Sequence, residues 1–338
     1  MHNLKKKSLT IYRDQKIFEV INKISLSKIK ILFVIDKSQK LLGSVTSGDI
    51  RRALRKKIDQ NLNVEKIMCR NPKFLLKKNK NMINKHELIC LPILNKNKRI
   101  IDFQISEQVL RNKKENTIFL MAGGKGARLL PLTKNTPKPL LKIKKIPIIE
   151  KIIINFREQG FYNFIISVNY LGFKIKNYLG NGTKLKVNIT YIDEKKFLGT
   201  AGSLSLIDVK KIVSPFIVAN SDLITEIDYK NLIDYHNDKK SDLTICAKNK
   251  IFKMPYGEIL LKNSKVKKIV EKPISNHLVN AGIYVFNKSL IKNFTKNKKV
   301  MMNDFITDQL KKNKNIFSYP VYESWVDIGN KSDFYNSR

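Results

Sequence analysis

A chain of 338 residues that is 42% hydrophobic and 28% charged has room for two domains and enough apolar surface for a core, which excludes a disordered tail. Its apolar runs all fall short of the ~20 residues of a membrane helix, its early lysines lead into no secretory signal, and Cys69, Cys90 and Cys246 stand apart without a CxxC pair. The cysteine pattern rules out a disulfide framework or thiolate zinc site and fits a reducing cytoplasm. The net charge of +38 comes from lysines spread over the whole chain, with only 10 arginines among the 66 basic residues. With about a tenth of the chain asparagine, this is the mark of A/T-rich codons. A nucleic-acid partner is therefore not expected, although the charge attracts polyphosphates.

In chain order, the first hundred residues hold a weak repeat. ILFVIDKSQKLLGSVTSGDIRRAL (31–54) reads as strand, turn, strand and a helix capped by Ser47 or Asp49. ICLPILNKNKRIIDFQISEQVL (89–110) repeats the pattern about sixty residues later, predicting a paired module over 1–112 whose halves pack on each other. LRNKKENT (110–117) is a polar linker. From Thr117 to the end, strands TIFLMA, NFIISVNY, NITYIDE, PFIVANSD and LTICAK alternate with helices IIEKIIINFREQG and YKNLIDYHNDKK. That alternation predicts a mostly parallel α/β sheet with helices on both faces. Ligands of such sheets lie at the carboxyl ends of the strands, here just after TIFLMA and PFIVANSD.

AGGKGARLLPLTKNTPKPLLKI (122–143) follows the first of those strands. Gly123, Gly124 and Gly126 let backbone N–H groups approach phosphate, with Arg128 and Lys138 nearby. The third glycine falls too early for the dinucleotide fingerprint, and the lysine lacks the Ser or Thr of a Walker loop. The longer pattern GGxGxRLxPLT…PKP resembles the signature of sugar-1-phosphate nucleotidyltransferases. LGTAGSL (198–204), NSD (220–222), EKP (271–273), NAGIYVF (280–286) and WVDIG (325–329) agree with that family in order, over 117–338. The amino-terminal pair resembles two cystathionine-β-synthase-type (CBS) modules. The first keeps Gly43, Thr46 and Asp49, positions that can contact a ribose and phosphate in that family; Asp102, Ile105 and Gln108 replace them in the second. The combination resembles bacterial guanylyltransferases of surface-glycan pathways.

The resemblance implies a glycosyltransferase-A-like Rossmann sheet that transfers a nucleotidyl group from an NTP, GTP in that subgroup, to a sugar-1-phosphate. The phosphate dianion is already a nucleophile, and each close pair of like charges costs about 4 kcal/mol at an effective dielectric of 20. The site must therefore supply a divalent cation, Mg2+, and fixed positive groups. Asp222 and Asp327 match the family's metal aspartates, Arg128 and Lys138 would grip the nucleotide, and Lys272 the sugar phosphate. Ala122, Gly123, Gly124, Gly126, Gly199 and Thr200 would hold the nucleotide, and Glu271, Asn280 and Gly282 the sugar.

Plainer roles stand beside these. Glu271 and Asn280 also serve to orient loops, Gly199 and Thr200 to allow close packing, and Thr46 and Asp49 to cap a helix as readily as to bind a regulatory nucleotide. Trp325 is expected to pack, His236 to be a surface or core residue, and Cys246 to be buried and inert. Leu130 stands where the family commonly has a basic residue, and Ser221 where it commonly has glycine. A homo-oligomer in the cytoplasm is expected, with no membrane partner. A catalytically dead nucleotide-sensing subunit is the competing reading, opposed by the survival of the charged set. Because every matched motif lies after Thr117, removal of residues 1–112 is expected to leave a competent transferase, with few contacts crossing the break.

Overall fold

The computed structural model describes residues 8–27, 29–76, 90–105 and 113–337. The first three residues of the expected linker, the helix expected after the second repeat with Gln108, and His2 and His86 lie outside the described residues.

The repeat is visible in the front module. Strand β1 (Thr10–Tyr12), helix α1 (Ile17–Leu26), β2 (Ile31–Ile35), β3 (Leu41–Thr46) and α2 (Ser47–Arg55) form the first unit. β1 pairs parallel with β2, and β2 antiparallel with β3. β4 (Leu75–Leu76), β5 (Cys90–Leu94) and β6 (Ile100–Ile105) reproduce that order and sense. Even the irregularity recurs: the ladder shifts between Val34 and Ile35 in one unit and between Ile93 and Leu94 in the other. The turns are built alike, since Asp36 Oδ1 accepts from the Lys40 amide at 2.9 Å and Asn95 Oδ1 from the Arg99 amide at 3.0 Å. The two turns also meet, Leu41 N–H donating to Lys98 O and Ile100 N–H to Gln39 O. Equivalent residues of the two units thus pair with each other, as the repeat predicts.

The second half forms a seven-stranded sheet. Its strands are β7 (Lys114–Ala122), β8 (Phe161–Val168), β9 (Asn188–Asp193), β10 (Phe216–Asn220), β12 (Leu243–Lys253), β15 (Ile274–Phe286) and β16 (Ile316–Val321). The short β11 (Leu223–Thr225) and the hairpin β13 (Glu258–Lys262) and β14 (Lys265–Val270) lie outside it. The spatial order is β9, β8, β7, β10, β15, β12, β16. β7 to β10 run parallel, β15 is antiparallel to both neighbours, and β16 is parallel to β12.

The central strands are buried on both faces. Ile118, Leu120 and Ala122 of β7 enter one core while Phe119 enters the other; Ile217 and Ala219 of β10 divide from Phe216 and Val218 in the same way. That period of two in fully apolar strands is why the sequence reads as continuous hydrophobic runs. Helices α3 (Ile148–Glu158), α4 (Gly172–Leu179) and α5 (Tyr229–Asp238) pack on one face, and α6 (Met302–Lys311) on the other. A last strand, β17 (Trp325–Asp327), pairs antiparallel with β11, and α7 (Lys331–Asn336) closes the described chain. His236 is buried on α5 between Thr244 and Asn287, and the Cys246 thiol is buried, its pKa pushed up by desolvation.

The expectation of few contacts between the halves is not met. The Arg51 guanidinium of α2 is buried against the rings of Tyr319 and Tyr322 and donates to Glu323 Oε1 at 2.7 Å. Tyr322 packs against the front module's own core and donates its hydroxyl to Ser47 Oγ at 2.6 Å. Arg51 and Glu323 lie 272 residues apart in sequence, so only the tertiary structure reveals the seam. Among the described residues, no helix is long and apolar enough to cross a membrane.

Candidate active site

The carboxyl ends of β7 and β10 open onto two adjoining cavities. The larger, about 320 Å³, is lined by the glycine loop with Ala122, Gly123, Gly124, Gly126, Arg128 and Lys138, by Gly199 and Thr200, and by Asp222. The other, about 270 Å³, is lined by Asn280, Gly282, Trp325 and Asp327. Thr200 and Asn220 belong to both walls, so the cavities adjoin. Twelve of the fourteen residues expected here on sequence grounds, counting Asp222 and Asp327 once each, therefore line one continuous cleft.

The glycine loop is held in place by local chemistry. Gly126 has φ +63°, a conformation that costs glycine little. The buried Thr133 donates its hydroxyl to Gly126 O at 2.9 Å and so fixes the turn. Gly199 has φ +83°, and a Cβ there would meet Val300 O at 2.5 Å. Thr200 Oγ accepts from the Met302 amide at 2.8 Å, tying the loop to the start of α6. Packing thus dictates Gly199 and occupies the Thr200 side chain, while both still line the cleft. Ser221, in the place of the family's usual glycine, donates to Met121 O at 2.7 Å and ties β10 to β7.

Asp222 lies between β10 and β11, separated from the end of β10 by Ser221, and Asp327 ends β17. The ladder between β11 and β17 sets Leu223 opposite Asp327, and Ile328 N–H donates to Asp222 O. Lys138, almost wholly buried, pairs with Asp222 Oδ2, whereas the buried Oδ1 takes no hydrogen bond. Burial, and then the Asp222 charge, raise the Asp327 carboxyl above the ordinary aspartate value; Lys138 and Arg128 oppose the rise. Two facing carboxylates with one bare buried oxygen fit a divalent cation that completes its shell from phosphate oxygens and water. Among the described residues, no group of three or more His, Cys, Asp or Glu side chains could hold a metal by itself.

Lys272 and Glu271 are the exceptions. Both are exposed on the loop between β14 and β15, and neither lines either of these two cavities. The loop leads into β15 at the end of a two-stranded arm, formed where β12 and β15 run on past the sheet. Lys250 on that arm stands 5.2 Å from the centroid of the Trp325 ring, at the cleft. Trp325 donates its Nε1–H to Ala281 O at 2.9 Å, a packing role as expected. Asn280 accepts from the Gly282 amide and donates to Asn303, so it orients the cleft wall as well as lining it.

Glu194 was not singled out in the sequence. It is buried in the wall of the larger cavity, with Oε1 only 2.6 Å from where a Gly123 Cβ would stand. Oε2 accepts from the Leu198 amide at 3.1 Å. Desolvation raises its carboxyl above the ordinary value, against the Leu198 amide and the Ser167 hydroxyl. The signal that could have found it is its place five residues before Gly199, just past the end of β9 and two strands across from the glycine loop after β7.

In the front module, Gly43, Thr46 and Asp49 serve the local fold. A Cβ on Gly43 would meet Cys69 O at 2.7 Å. Thr46 Oγ accepts from the Asp49 amide while Asp49 Oδ2 accepts from the Thr46 amide and hydroxyl, a reciprocal cap of α2. Asp49 Oδ1 pairs with Arg52. Of the two roles open to Thr46 and Asp49, the structure displays the cap.

The family model described as nucleotidyl transferase matches residues 117–338, and that of the CBS domain residues 4–56. A mannose-1-phosphate guanyltransferase of Yarrowia lipolytica is 32% identical over 223 residues, covering 64% of this chain and 61% of its own length. This chain therefore spans about three fifths of the length of the curated relatives it matches. Among solved structures, HddC from Yersinia pseudotuberculosis is 29% identical with a TM-score of 0.52, covering 66% of this chain and 97% of its own. The same protein complexed with GMP-PN is 28% identical.

Proposed function

This chain belongs to the nucleotidyl transferase family, and from that premise we propose that it transfers GMP from GTP to a sugar-1-phosphate in the cytoplasm, releasing pyrophosphate and using Mg2+. The sugar phosphate oxygen attacks the α-phosphorus in line, and the pyrophosphate group leaves as the new P–O bond forms. No protein base is required, because the attacking phosphate is dianionic near neutral pH.

What the protein contributes is charge and position. Arg128 and the backbone amides of the glycine loop would take the nucleotide's phosphates. Lys138 would turn from Asp222 to a phosphate oxygen as Asp222 and Asp327 take Mg2+. When bound, the ion supplies the positive charge that lets two anions approach. The wall of Asn280 and Gly282 would hold the sugar beside Asp327.

The observation that carries the choice of base is Glu194. A buried carboxylate only accepts hydrogen bonds when ionised, and it stands in a cavity that must admit an anion. It is suited to a group presenting adjacent donors. Guanine offers N1–H and N2–H2 side by side. Uracil and thymine offer a single N–H between two carbonyls, and cytosine and adenine offer an amino group beside a ring acceptor. The guanyltransferase names of the relatives and the GMP-PN complex of the neighbour support the same reading. A pyrophosphate-release screen of the four common NTPs and dTTP against a panel of sugar-1-phosphates tests it. Preference for another nucleotide by about tenfold, or 1.4 kcal/mol, would overturn the choice of base; no release from any pair would overturn the reaction.

A further inference from the structure

The segment that carries Asp327 passes through the seam with the front module four residues earlier. Tyr319 belongs to the core of the sheet and lies under the Arg51 guanidinium, 4.4 Å from it; Tyr322 lies 5.1 Å away and inserts into the front core. Glu323 is fully buried, with Oε1 on Arg51 and Oε2 on the Tyr322 amide. Lys248 holds the carbonyls of Tyr322 and Glu323 at 3.2 and 2.8 Å. Ser324 O then accepts from the Glu226 amide and the Thr225 hydroxyl, and β17 starts at Trp325. Between Glu323 and Asp327 there are three residues, all tied to β11 or to its continuation.

We propose that Arg51 is a positioning residue of the transferase: through Glu323 it sets where β17 begins, and so where Asp327 stands relative to Asp222. The effect on turnover rests on the guanylyl-transfer reading above, whereas the placement of β17 does not. A buried planar guanidinium between two rings fixes its partner's position in a way that a flexible surface pair cannot. The front module is then a wall that supports the active site, as well as a separate domain. An active-site carboxylate displaced by a fraction of an ångström to one ångström loses turnover far more than substrate affinity.

The chain offers its own reporter, because its single tryptophan is Trp325, the first residue of β17. In the full-length protein without nucleotide, Arg51→Ala is expected to shift the Trp325 emission to the red, as the strand loosens and the indole meets water. With substrates it should lower kcat by about tenfold or more while KM for GTP stays within about twofold. The double variant Arg51→Ala with Glu323→Gln removes the stranded charge. It should regain thermal stability yet keep the shifted emission and the low kcat. If Arg51→Ala does not fold, the double variant and Arg51→Lys carry the same readouts. Unchanged emission and kcat in a folded Arg51 variant would overturn the proposal. Recovery of emission and kcat together with stability in the double variant would do so too, because the loss would then be only the penalty of a buried unpaired carboxylate. A shifted emission in a protein whose wild type transfers nothing to any sugar phosphate would support the placement of β17 and refute the guanylyl-transfer reading.

Discussion

Asp222 has one oxygen on Lys138 and the other bare and buried, so its two oxygens face different partners. Asp222→Asn keeps an acceptor for Lys138 and removes the charge that would hold a cation. The expected result is a folded protein, with wild-type circular dichroism, whose turnover falls by about 10²–10³ or more. Full activity in that folded variant would refute the role of Asp222. Glu194 leads to a different readout. Glu194→Gln replaces an acceptor pair by one acceptor and one donor, which suits uracil or thymine better than guanine. GTP should lose about 1.5–3 kcal/mol of binding while dTTP and UTP gain relative to it. Competition assays with mixed nucleotides would show this as a narrowed ratio of kcat/KM.

At the scale of elements, α5 and β12 are joined through a histidine whose pKa burial lowers. His236 is buried between Thr244 and Asn287, and desolvation lowers its pKa from the ordinary value of 6.5. Below pH 6.5 the unfolded chain takes up a proton that the folded chain refuses. Stability therefore falls as the pH drops from 6.5 toward the depressed folded value. His236→Gln should flatten the fall in melting temperature between neutral and mildly acidic pH, even if it lowers stability at pH 7.5. A variant as acid-sensitive as the wild type would place the effect elsewhere.

The arm formed by β12 and β15 supplies the other prediction at this scale. Lys272 lines neither cavity, whereas Lys250 stands over Trp325. Lys250→Ala should raise KM for the sugar phosphate more than that for GTP, by the roughly 1.5–3 kcal/mol of an ionic hydrogen bond. If Lys272→Ala does so instead and Lys250→Ala does not, the arm closes during the cycle.

For the whole molecule, the seam changes what truncation does. A fragment of residues 113–338 keeps every matched motif yet leaves Glu323 without Arg51 and the apolar faces of Tyr319 and Tyr322 open. Breaking a buried ion pair from one side costs about 3–5 kcal/mol. The fragment is expected to melt well below the full chain, and Glu323→Gln within it should recover part of the loss. A fragment as stable and active as the whole would show that the seam contributes nothing.

Much of this protein could be read without its structure because its signals are local or periodic. The glycine loop, the apolar strands of the parallel sheet and the near-sixty-residue repeat rest on φ preferences, side-chain alternation and turn chemistry, all of which act between residues close in the chain. The motifs at Asp222 and Asp327 were likewise legible, the first at the end of the apolar strand PFIVANSD and the second through its match to WVDIG. What could not be read was decided by contacts between distant segments. Lys272 looked like its neighbours in a chain full of lysines, and only the course of the arm shows that it stands away from the cleft. Thr46 and Asp49 carried two readings until the backbone of α2 displayed the reciprocal cap. Glu194 had no motif of its own; burial beside a glycine gave it meaning. Arg51 and Glu323 carried no pattern at all. Sequence by itself determined where the glycine loop and the two aspartate motifs stand and which strands must be buried. The tertiary structure alone decided that Lys138 meets Asp222 and that Arg51 of the front module meets Glu323, four residues before Asp327, because burial and charge pairing depend on distances in space that spacing along the chain does not encode.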